Sequence, residues 1–337
     1  MKKVLVTGGT GYIGSHTTVE LIEKGYEVVI IDDLSNSKIE VLDAIEKITG
    51  TKPKFYQFNL CDQSKLSDFF DQEKDIDSII HFAAKKAVGE SVQKPLLYYQ
   101  TNISSLTNLL EEMPKRGISD IVFSSSCTVY GQPEKLPVTE QTPWQPAESP
   151  YGNTKQICEE ILRDTTKVVS EVRAIALRYF NPVGAHSTAL IGELPLGVPN
   201  NLVPFITQTA AGIREQLSVF GSDYNTHDGT AIRDYIHVVD LAKAHVIAVE
   251  RLFDNMNKSN YEYFNLGTGI GYSVLDAVTK FEEVNDLKLN YKLVERRPGD
   301  VEKIYADTSF ANEELGWKAA RGLDEMMRSA WKWQQTL

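Results

Sequence analysis

The feature that most constrains the fold of this 337-residue chain is a glycine-rich turn near its start. The apolar run Lys3-Val-Leu-Val-Thr7 predicts a short buried strand, and the segment Gly8-Gly-Thr-Gly-Tyr-Ile-Gly14 follows it directly. A helical pattern comes next, and a second apolar run, Tyr26–Ile31, ends in Asp32 and Asp33. A strand, a glycine turn, a helix and a strand that ends in an acid together predict a dinucleotide-binding unit.

Three of the glycines have separate roles in this interpretation. Gly8 allows the tight turn, Gly11 lets a pyrophosphate approach backbone N–H groups, and Gly14 lets the helix pack closely on the strand. The helix N-terminus then faces the phosphates. Asp32 would accept hydrogen bonds from the adenosine ribose, and no Arg follows it to hold a 2′-phosphate. The turn therefore predicts NAD rather than NADP as the cofactor; the alternative is a glycine turn without a ligand.

Predicted strands and helices continue to alternate after this unit. The nearly continuous apolar run Asp77–Ala84 is typical of a parallel strand covered on both faces. A long helix is predicted from about Glu90 to Met113, where Pro114 stops it. Repeated βα units of this length predict an α/β fold, a Rossmann-type doubly wound parallel sheet. Further strands are predicted at 54–58, 118–125 and 172–180, and further helices at 63–73 and 150–168.

Ligands of such sheets bind at the carboxyl ends of the strands. We therefore expect ligand contacts where the predicted strands end, at Gly8–Gly11, Asp32, Asn59–Leu60, Ala83–Lys86, Ser124–Ser126 and Phe180–Asn181.

A proton-handling group is predicted at one of these strand ends. Tyr151 and Lys155 are four residues apart and share one face of the helix that follows Ser124–Ser126. An ammonium held there favours the phenolate and lowers a tyrosine pKa from about 10 towards neutrality, where it acts as a base. Ser126 would share or relay the same proton. The alternative is a helix that begins near Ser149 and carries a solvated lysine.

Charge and cysteine spacing exclude several classes of function. The net charge of −11 and the pI near 5.2 argue against a nucleic-acid or anionic-membrane binder. Cys61, Cys127 and Cys158 lie far apart without C-x-x-C spacing, so we expect neither a disulfide framework nor a metal site. The apolar start is too short for a signal peptide, and no run reaches about 18 apolar residues. We expect a cytoplasmic protein.

The regular alternation is lost from Pro182 to about Tyr235, where prolines and glycines recur. We therefore predict an NAD-binding domain over 1–181 plus about 236–266. A smaller C-terminal α/β substrate-binding lobe is predicted over about 182–235 plus 267–337.

In an acidic chain, Arg233 and Arg297 stand out in this lobe, because two Arg forks suit the oxygens of a diphosphate. The alternative is an ordinary surface ion pair, such as Arg233 with Asp234. Phe220 and Tyr235 are candidates to stack on a base, unless they pack in the core.

Further motifs agree with a known family. The glycine turn, the Ser124–Gly131 segment and Tyr151-x-x-x-Lys155 resemble the extended short-chain dehydrogenase/reductase superfamily. Within it, the chain resembles the UDP-glucose 4-epimerase family through the segments His81–Ser91, Leu177–His186, Pro199–Leu202, Asp228–Val238 and Arg296–Asp300.

The resemblance covers nearly the whole chain and implies a function in galactose metabolism. It implies tightly held NAD, a homodimer packed through the long helices of the cofactor lobe, and UDP-glucose and UDP-galactose as substrates. The implied reaction is reversible 4-epimerisation through a transient 4-keto sugar and NADH, with no net redox change.

Strand ends and family motifs together give the predicted site residues. The catalytic group is Ser126, Tyr151 and Lys155. The cofactor residues are Gly8, Gly11, Tyr12, Ile13, Gly14, Asp32, Asp33, Asn36, Ser37, Asn59, Leu60, Phe82, Ala83, Ala84, Lys86, Asn102, Ser124, Tyr151, Lys155 and Phe180. The substrate residues are Lys86, Ser126, Tyr151, Asn181, Asn201, Ser218, Val219, Phe220, Arg233, Tyr235, Arg297, Asp300 and Ile304.

Two positions depart from the family pattern. Asn59 stands where an acid usually meets the adenine, and an amide oxygen can supply the same acceptor. Ile304 stands where a large aromatic restricts relatives to glucose and galactose and a small residue admits N-acetylated sugars. Because isoleucine is intermediate in size, the sequence leaves the breadth of substrates open.

Three alternative functions would each require a different set of residues. A nucleotide-sugar 4,6-dehydratase would carry acids where this chain has Ser126 and Cys127. A UDP-glucuronate epimerase or decarboxylase would need one more cation for the sugar carboxylate, which leaves it open. A non-catalytic NAD-sensing protein would have no need of Ser126, Tyr151 and Lys155 together.

Overall fold

The computed structural model describes residues 1–297 and 300–337, so Pro298 and Gly299 of the Arg296–Asp300 motif lie outside the described residues. The strands are β1 Lys3–Thr7, β2 Glu27–Asp32, β3 Lys54–Gln57, β4 Ser78–His81, β5 Asp120–Ser126, β6 Arg173–Tyr179, β7 Asn181–Val183, β8 Leu217–Phe220, β9 Ile232–His237, β10 Tyr261–Leu266, β11 Gly271–Ser273, β12 Tyr291–Val294 and β13 Lys303–Ile304. The α-helices are α1 Tyr12–Glu23, α2 Val41–Thr49, α3 Gln63–Gln72, α4 Val88–Gln93, α5 Pro95–Lys115, α6 Pro150–Val168, α7 Leu202–Ala210, α8 Val238–Phe253, α9 Val274–Asn285 and α10 Leu323–Gln334.

The predicted doubly wound sheet is present and has seven strands among the described residues, in the order β10-β6-β5-β4-β1-β2-β3. The pairings of β1 with β2 and β4, of β2 with β3 and of β4 with β5 are parallel. Thr7 pairs with Ile31 and with His81, and His81 pairs with Phe123. The next residues along these strands, which therefore meet at one edge of the sheet, are Gly8, Asp32, Phe82 and Ser124.

The sheet is buried because its strands are runs of β-branched and aliphatic residues. Val4, Leu5, Val6, Ile79 and Ile80 are all fully buried. One face packs against three of the helices, and burial of this kind stabilises the fold by about 25 cal/mol per Å² of apolar surface. The residues that α3, α5 and α6 contribute to this core are Leu66, Phe69, Phe70, Leu106, Leu109, Leu110, Met113, Cys158 and Leu162.

The predicted helix from about Glu90 to Met113 is wrong in one respect, because the chain forms two helices there, α4 and α5. Pro95 separates them: its ring disfavours a helical conformation at Lys94, which has φ −130° and ψ 56°. Pro95 then opens α5, where its missing N–H costs no hydrogen bond. Pro114 lies inside the last turn, and α5 ends at Lys115.

The chain divides into two compact units. The first unit comprises Met1–Val129, Ser149–Arg178 and Ala242–Phe264, and the second comprises Tyr130–Glu148, Tyr179–Leu241 and Asn265–Leu337. Residues 130–148, which the sequence placed with 1–181, thus fall in the second unit. There the Tyr130 hydroxyl donates to Asn265 at 2.6 Å, and the Asn265 N–H donates to Glu140 at 2.7 Å.

The second unit is built on two smaller sheets and its own core. One sheet has the order β11-β9-β13, with β7 also paired to β9, and the other pairs β12 with β8. Ser273 caps α9 in a capping box with Asp276. Trp331 of α10 packs edge-on against Phe281, with ring centroids 5.9 Å apart, which agrees with a packing role.

Two further details concern the segment before α10 and the apolar character of the helices. The chain near residues 308–315 forms only a five-residue π-helical turn, Ala311–Leu315, closed by Gly316 in a left-handed conformation. In the part of the chain that the structure describes, none of the helices combines the length and the apolar character that a bilayer span requires.

Candidate active site

The glycine turn has the geometry of a phosphate cradle. Gly8 has φ +72°, and a Cβ on it would lie 2.8 Å from the backbone nitrogen of Ala83. A Cβ on Gly14 would lie 2.2 Å from the carbonyl oxygen of Gly8, so no side chain fits between α1 and β1. Gly11 occupies the N-cap position of α1 and supplies no side-chain cap to the first N–H groups. The first N–H groups of a helix are the ones that can bind an anion.

Asp32 is held in place at the end of β2. Its Oδ1 accepts from the Leu34 N–H at 2.9 Å and from the Ser37 hydroxyl at 3.2 Å, and its Oδ2 accepts from the Thr10 N–H at 3.3 Å. Thr10 and Ser37 also share a hydrogen bond at 2.7 Å. The carboxylate is therefore fixed beside the glycine turn, and a carboxylate is an acceptor for ribose hydroxyls.

Asn59 and Asp33 meet at the next strand end. The Asn59 amide donates to Asp33 at 3.2 Å, and its oxygen accepts from the Cys61 N–H at 2.9 Å. The carbonyl of Leu60 accepts from the side chain of Asn108 in α5 at 2.9 Å. The amide at position 59 thus has a fixed orientation, set by one donor and one acceptor.

A buried bridge between β1 and β4 was not predicted from the sequence. Thr7 Oγ1 and His81 Nδ1 lie 2.8 Å apart, and Thr7 Oγ1 accepts from the Ala83 N–H at 3.4 Å. Burial, and then the charge of Lys155, lowers the pKa of His81 to about 3, so the ring is neutral. The bridge holds the segment that contains Phe82, Ala83 and Ala84 beside the glycine turn. The segment His81-Phe82-Ala83-Ala84 is a local signal for it.

Asn102 connects the loop after β4 to the helix of the proton-handling group. Its oxygen accepts from the Lys85 N–H at 2.8 Å, and its amide donates to the Lys85 carbonyl at 3.0 Å and to the Thr154 hydroxyl at 3.0 Å. Thr154 lies in the same turn as Tyr151, and Lys86 follows Lys85 directly. Asn102, in α5, therefore ties the loop that contains Lys86 to α6.

The start of α6 places Tyr151 in the first turn. Ser149 is the N-cap and accepts from the Gly152 N–H at 3.1 Å, and Pro150 opens the helix. Tyr151 hydrogen-bonds to Ser126. Ser126 Oγ also accepts from the Thr128 N–H at 3.2 Å. The structure thus brings Ser126 and Tyr151 together at the carboxyl end of β5, as predicted.

Lys155 is buried beside them, but its ammonium does not point at the phenol. Nζ donates to the Ser124 carbonyl at 2.6 Å and lies 4.7 Å above the Phe123 ring and 5.9 Å from the Tyr151 ring centroid. Burial lowers the pKa of Lys155 to about 8. Burial also raises the pKa of Tyr151 to about 12, although the hydrogen bond from Ser126 opposes the rise.

The expected low pKa of Tyr151 is therefore absent from the protein alone. Sequence spacing places the ammonium and the phenol on one helix face, but it does not include the cost of moving both groups out of water. Here that cost is the larger effect on both pKa values. An additional positive charge near the phenol is needed to bring its pKa down.

Several predicted substrate residues meet in the second unit around Asp300. Arg297 makes a two-point contact with Asp300, from Nε at 3.2 Å and from Nη2 at 2.8 Å, and Arg233 Nη2 lies 3.8 Å from the same carboxylate. The Arg297 guanidinium is 5.8 Å from the Phe220 ring centroid. Ile304 is buried and pairs in register with Arg233. Two guanidinium groups, a carboxylate and an exposed aromatic ring therefore cluster, and the guanidinium groups are the part of this cluster that can bind an anion.

Arg233 does not pair with Asp234, the partner that the alternative of a surface ion pair would give it. Asp234 is fully buried and accepts from Thr268 at 2.8 and 2.7 Å, from the Gly269 N–H at 3.0 Å and from the Ala306 N–H at 3.2 Å. Adjacent residues in a strand point to opposite faces, so Arg233 reaches Asp300 instead.

The other predicted substrate residues are spread over the second unit. Tyr235 is a core residue: it is 3% exposed, and burial raises its pKa to about 12. Asn181 pairs with Tyr235 in register, and Asn201 precedes α7 and donates to Glu193 at 2.6 Å. Along β8, Val219 is buried, Ser218 is partly exposed and Phe220 is exposed.

Comparisons with known proteins agree with this geometry. Residues 5–330 match the family described as GDP-mannose 4,6 dehydratase. The UDP-glucose 4-epimerase of Haemophilus influenzae is 53% identical over 332 residues, which cover 98% of this chain and 97% of that protein.

Two solved structures are also similar over nearly their whole length. One is the UDP-glucose 4-epimerase of Stenotrophomonas maltophila with bound NAD and formylated UDP-arabinopyranose, at a TM-score of 0.95 and 47% identity. The matched region covers 100% of this chain and 98% of that protein's chain. The other is the UDP-glucose 4-epimerase of Bifidobacterium longum in complex with NAD+ and UDP, at a TM-score of 0.95 and 46% identity. The matched region covers 99% of this chain and 98% of that protein's chain. The chain therefore belongs to the UDP-glucose 4-epimerase family, within the broader family described as GDP-mannose 4,6 dehydratase.

Proposed function

We propose that this protein interconverts UDP-glucose and UDP-galactose by inverting the sugar at C4. The observation that supports this most is the Ser126–Tyr151–Lys155 group at the carboxyl end of β5, in the sheet that also presents the glycine turn and Asp32. Ser126 and Lys155 of this group are buried. The chain is an enzyme of the epimerase family, and its relatives with solved structures hold NAD.

The residues of the first unit fit NAD. The cradle at Gly8, Gly11 and Gly14 leaves no room for a Cβ at two of its positions and exposes N–H groups to a pyrophosphate. Asp32, held by Thr10 and Ser37, would accept from the adenosine ribose. Bound NAD supplies the hydride acceptor and donor for C4 and, while oxidised, a positive charge that favours a phenolate.

Tyr151 is the proposed base. It takes the proton of the sugar 4-hydroxyl, and Ser126, already hydrogen-bonded to it, bridges the transfer. Lys155 contributes a buried ammonium that favours the phenolate, and the Ser124 carbonyl and the Phe123 ring hold this ammonium. The same hydroxyl returns the proton when the 4-keto sugar is reduced on its other face, so one residue serves both directions.

Arg233 and Arg297 are the proposed anchor for the diphosphate. Both already contact the Asp300 carboxylate, so a diphosphate would enter a site where the guanidinium groups are oriented. Anchoring at groups remote from C4 lets the sugar turn over between the two hydride transfers while the rest of the molecule stays bound.

Two further parts of the proposal concern assembly and location. A homodimer packed through α5 and α6 is supported by the family resemblance and by exposed apolar side chains near the start of α5, where Leu96 is 72% exposed. A cytoplasmic location is supported by Cys61, Cys127 and Cys158, none of which forms a disulfide in the part of the chain that the structure describes.

The test is an epimerisation assay with purified protein and no added NAD. UDP-galactose is incubated with the protein, and the products are separated by anion-exchange chromatography. We expect conversion to a mixture that contains UDP-glucose. A parallel incubation with UDP-N-acetylgalactosamine shows whether Ile304, which is 4% exposed and close to Arg233 in register, admits the larger sugar. A protein that holds NAD and converts neither sugar would contradict the proposal and favour the NAD-sensing alternative.

A further inference from the structure

A buried ion pair lies directly behind the proton-handling group and has no role in the function described so far. Glu159, one helical turn after Lys155, is fully buried, and Arg178 at the end of β6 is 2% exposed. Arg178 donates to both carboxylate oxygens of Glu159, from Nε at 2.9 and 3.1 Å and from Nη2 at 2.6 Å. Two charges are thus held out of water, which costs several kcal/mol unless their partners compensate.

The carboxylate of Glu159 has further donors. Tyr261 donates to Oε2 at 2.8 Å, and Ser125 donates to Oε1. The Arg178 guanidinium in turn stacks 4.2 Å from the Tyr263 ring centroid. Each oxygen therefore accepts from more than one group, which is the condition under which a buried ion pair keeps one geometry.

This network joins the catalytic group through the backbone of β5. Ser125 lies between Ser124, whose carbonyl accepts from Lys155 Nζ at 2.6 Å, and Ser126, which hydrogen-bonds to Tyr151. The bond from Ser125 to Glu159 fixes the strand residue between these two contacts. Movement of Ser125 would therefore move the groups that hold both the ammonium and the phenol.

The network also places a negative charge near Lys155. The titratable groups that face Lys155 are Tyr151, Cys158 and Glu159 on α6 and His81 on β4, while β5 contributes the uncharged Ser124 carbonyl and Phe123 ring. Burial raises the pKa of Cys158 to about 11, and His81 is neutral. Of these groups, Glu159 is the only carboxylate, and Arg178 is its direct cationic partner.

We propose that Glu159 is a positioning residue for the epimerase reaction: its carboxylate keeps the buried Lys155 ammonium charged and, through Ser125, holds the end of β5. This role rests on the proposed function, because it acts through Lys155 and Ser126. Burial lowers the pKa of Lys155 to about 8, and Cys158 and then the carboxylate of Glu159 oppose this lowering. Without that charge, Lys155 loses its proton at a lower pH and ceases to favour the phenolate.

The test is the pH dependence of kcat for UDP-galactose in Glu159→Gln. We expect the alkaline midpoint to move about one pH unit lower, which by itself lowers kcat at pH 7.5 about threefold. Glu262→Gln is the matched control, because Glu262 forms a buried two-point pair with Arg251 in the same unit, at 2.7 and 2.9 Å. It loses comparable stability, but its alkaline midpoint stays at the wild-type value.

Two more variants keep the proposal testable if Glu159→Gln does not fold. Glu159→Asp keeps the charge and should shift the midpoint in the same direction by a smaller amount, with Glu262→Asp as its control. Ser125→Ala keeps the charge and should lower kcat without moving the midpoint. An unshifted midpoint in the folded Glu159 variants, or a shift as large in the Glu262 variants, overturns the role of Glu159.

A second measurement separates this inference from the proposed function. The stability of the wild-type protein should rise with pH as buried Lys155 loses its proton, and in Glu159→Gln this rise should begin about one pH unit lower. Unfolding curves at several pH values report this without turnover. If the wild-type protein converts no UDP-sugar, the proposed function fails, and the unfolding curves still decide whether Glu159 acts on Lys155.

Discussion

The two units hold their functional charges in opposite ways. In the first unit, Lys155 is 3% exposed and Glu159 is fully buried, and each makes hydrogen bonds to neighbouring strands. In the second unit, the Arg297 side chain is 48% exposed and its Asp300 partner 18% exposed. Lys155 and Glu159 of the first unit were desolvated during folding, whereas the Arg297 guanidinium of the second unit keeps much of its water until a ligand binds. Arg233, with 16% of its side chain exposed, is the more buried of the two proposed anchors.

This difference matches the two tasks that we propose. Proton transfer depends on fixed geometry and on pKa values set by a low-dielectric environment, which burial supplies. Holding a charged diphosphate through a reversible reaction requires entry and release, and exposed guanidinium groups exchange partners at low cost. We therefore expect substitutions in the first unit to change kcat and those around Asp300 to change KM.

The largest effect is expected for Tyr151→Phe. Loss of the proposed base should lower kcat by about 10³-fold or more, while NAD content stays at the wild-type level. The measurement is conversion of UDP-galactose together with the absorbance of cofactor released on denaturation.

Tyr56→Phe is the matched control, because Tyr56 in β3 also has a pKa raised to about 12, through its hydrogen bond to Glu73. It should keep wild-type turnover. Equal turnover by wild type and Tyr151→Phe would remove Tyr151 from the mechanism.

A smaller effect, on the pH dependence of stability, follows from the burial of Lys155. Its pKa is about 8 in the folded protein and about 10.4 when unfolded. Between these values the unfolded chain binds more protons, so the free energy of unfolding rises with pH. From pH 7.5 to 9.5 we expect Lys155 to contribute a rise of about 2 kcal/mol.

Denaturant titrations of the wild type and of Lys155→Met measure this rise, which the variant should lack. Lys243→Met, at an exposed position of α8, is the control and should keep it. A flat difference between wild type and Lys155→Met over this range would mean that Lys155 is more solvated than its contacts indicate.

The smallest effect on turnover is expected for substitution of Arg297 beside Asp300. Arg297→Lys keeps the charge but loses the fork that contacts Asp300 at two points, so KM for UDP-galactose should rise about three- to tenfold with kcat nearly unchanged. Arg296→Lys is a close control: the side chain of Arg296 is 46% exposed, and it pairs with Asp223 instead. A fall in kcat in Arg297→Lys at saturating substrate would show that the exposed arginine also takes part in the chemical steps.

Much of the fold was predictable because its signals are local. The runs around Val4 and Ile30 are too apolar to lie anywhere but in a buried strand, and the capping box at Ser273 predicts the start of α9 correctly. Pro95 was the missed local signal, since a proline at that position opens a new helix. The sequence did not predict that residues 130–148 belong to the second unit, because this depends on hydrogen bonds with Asn265, more than 100 residues away.

The sequence by itself determined the glycine turn, the acid that follows β2, and the spacing of Tyr151 and Lys155 on one helix face, because these depend on residue type and backbone period alone. Tertiary structure decided the electrostatics. It turned the Lys155 ammonium towards Ser124, raised the pKa of Tyr151, and paired Arg233 with Asp300 rather than with Asp234. Desolvation and partner choice depend on which distant segments pack around a group, and a linear spacing does not contain that information.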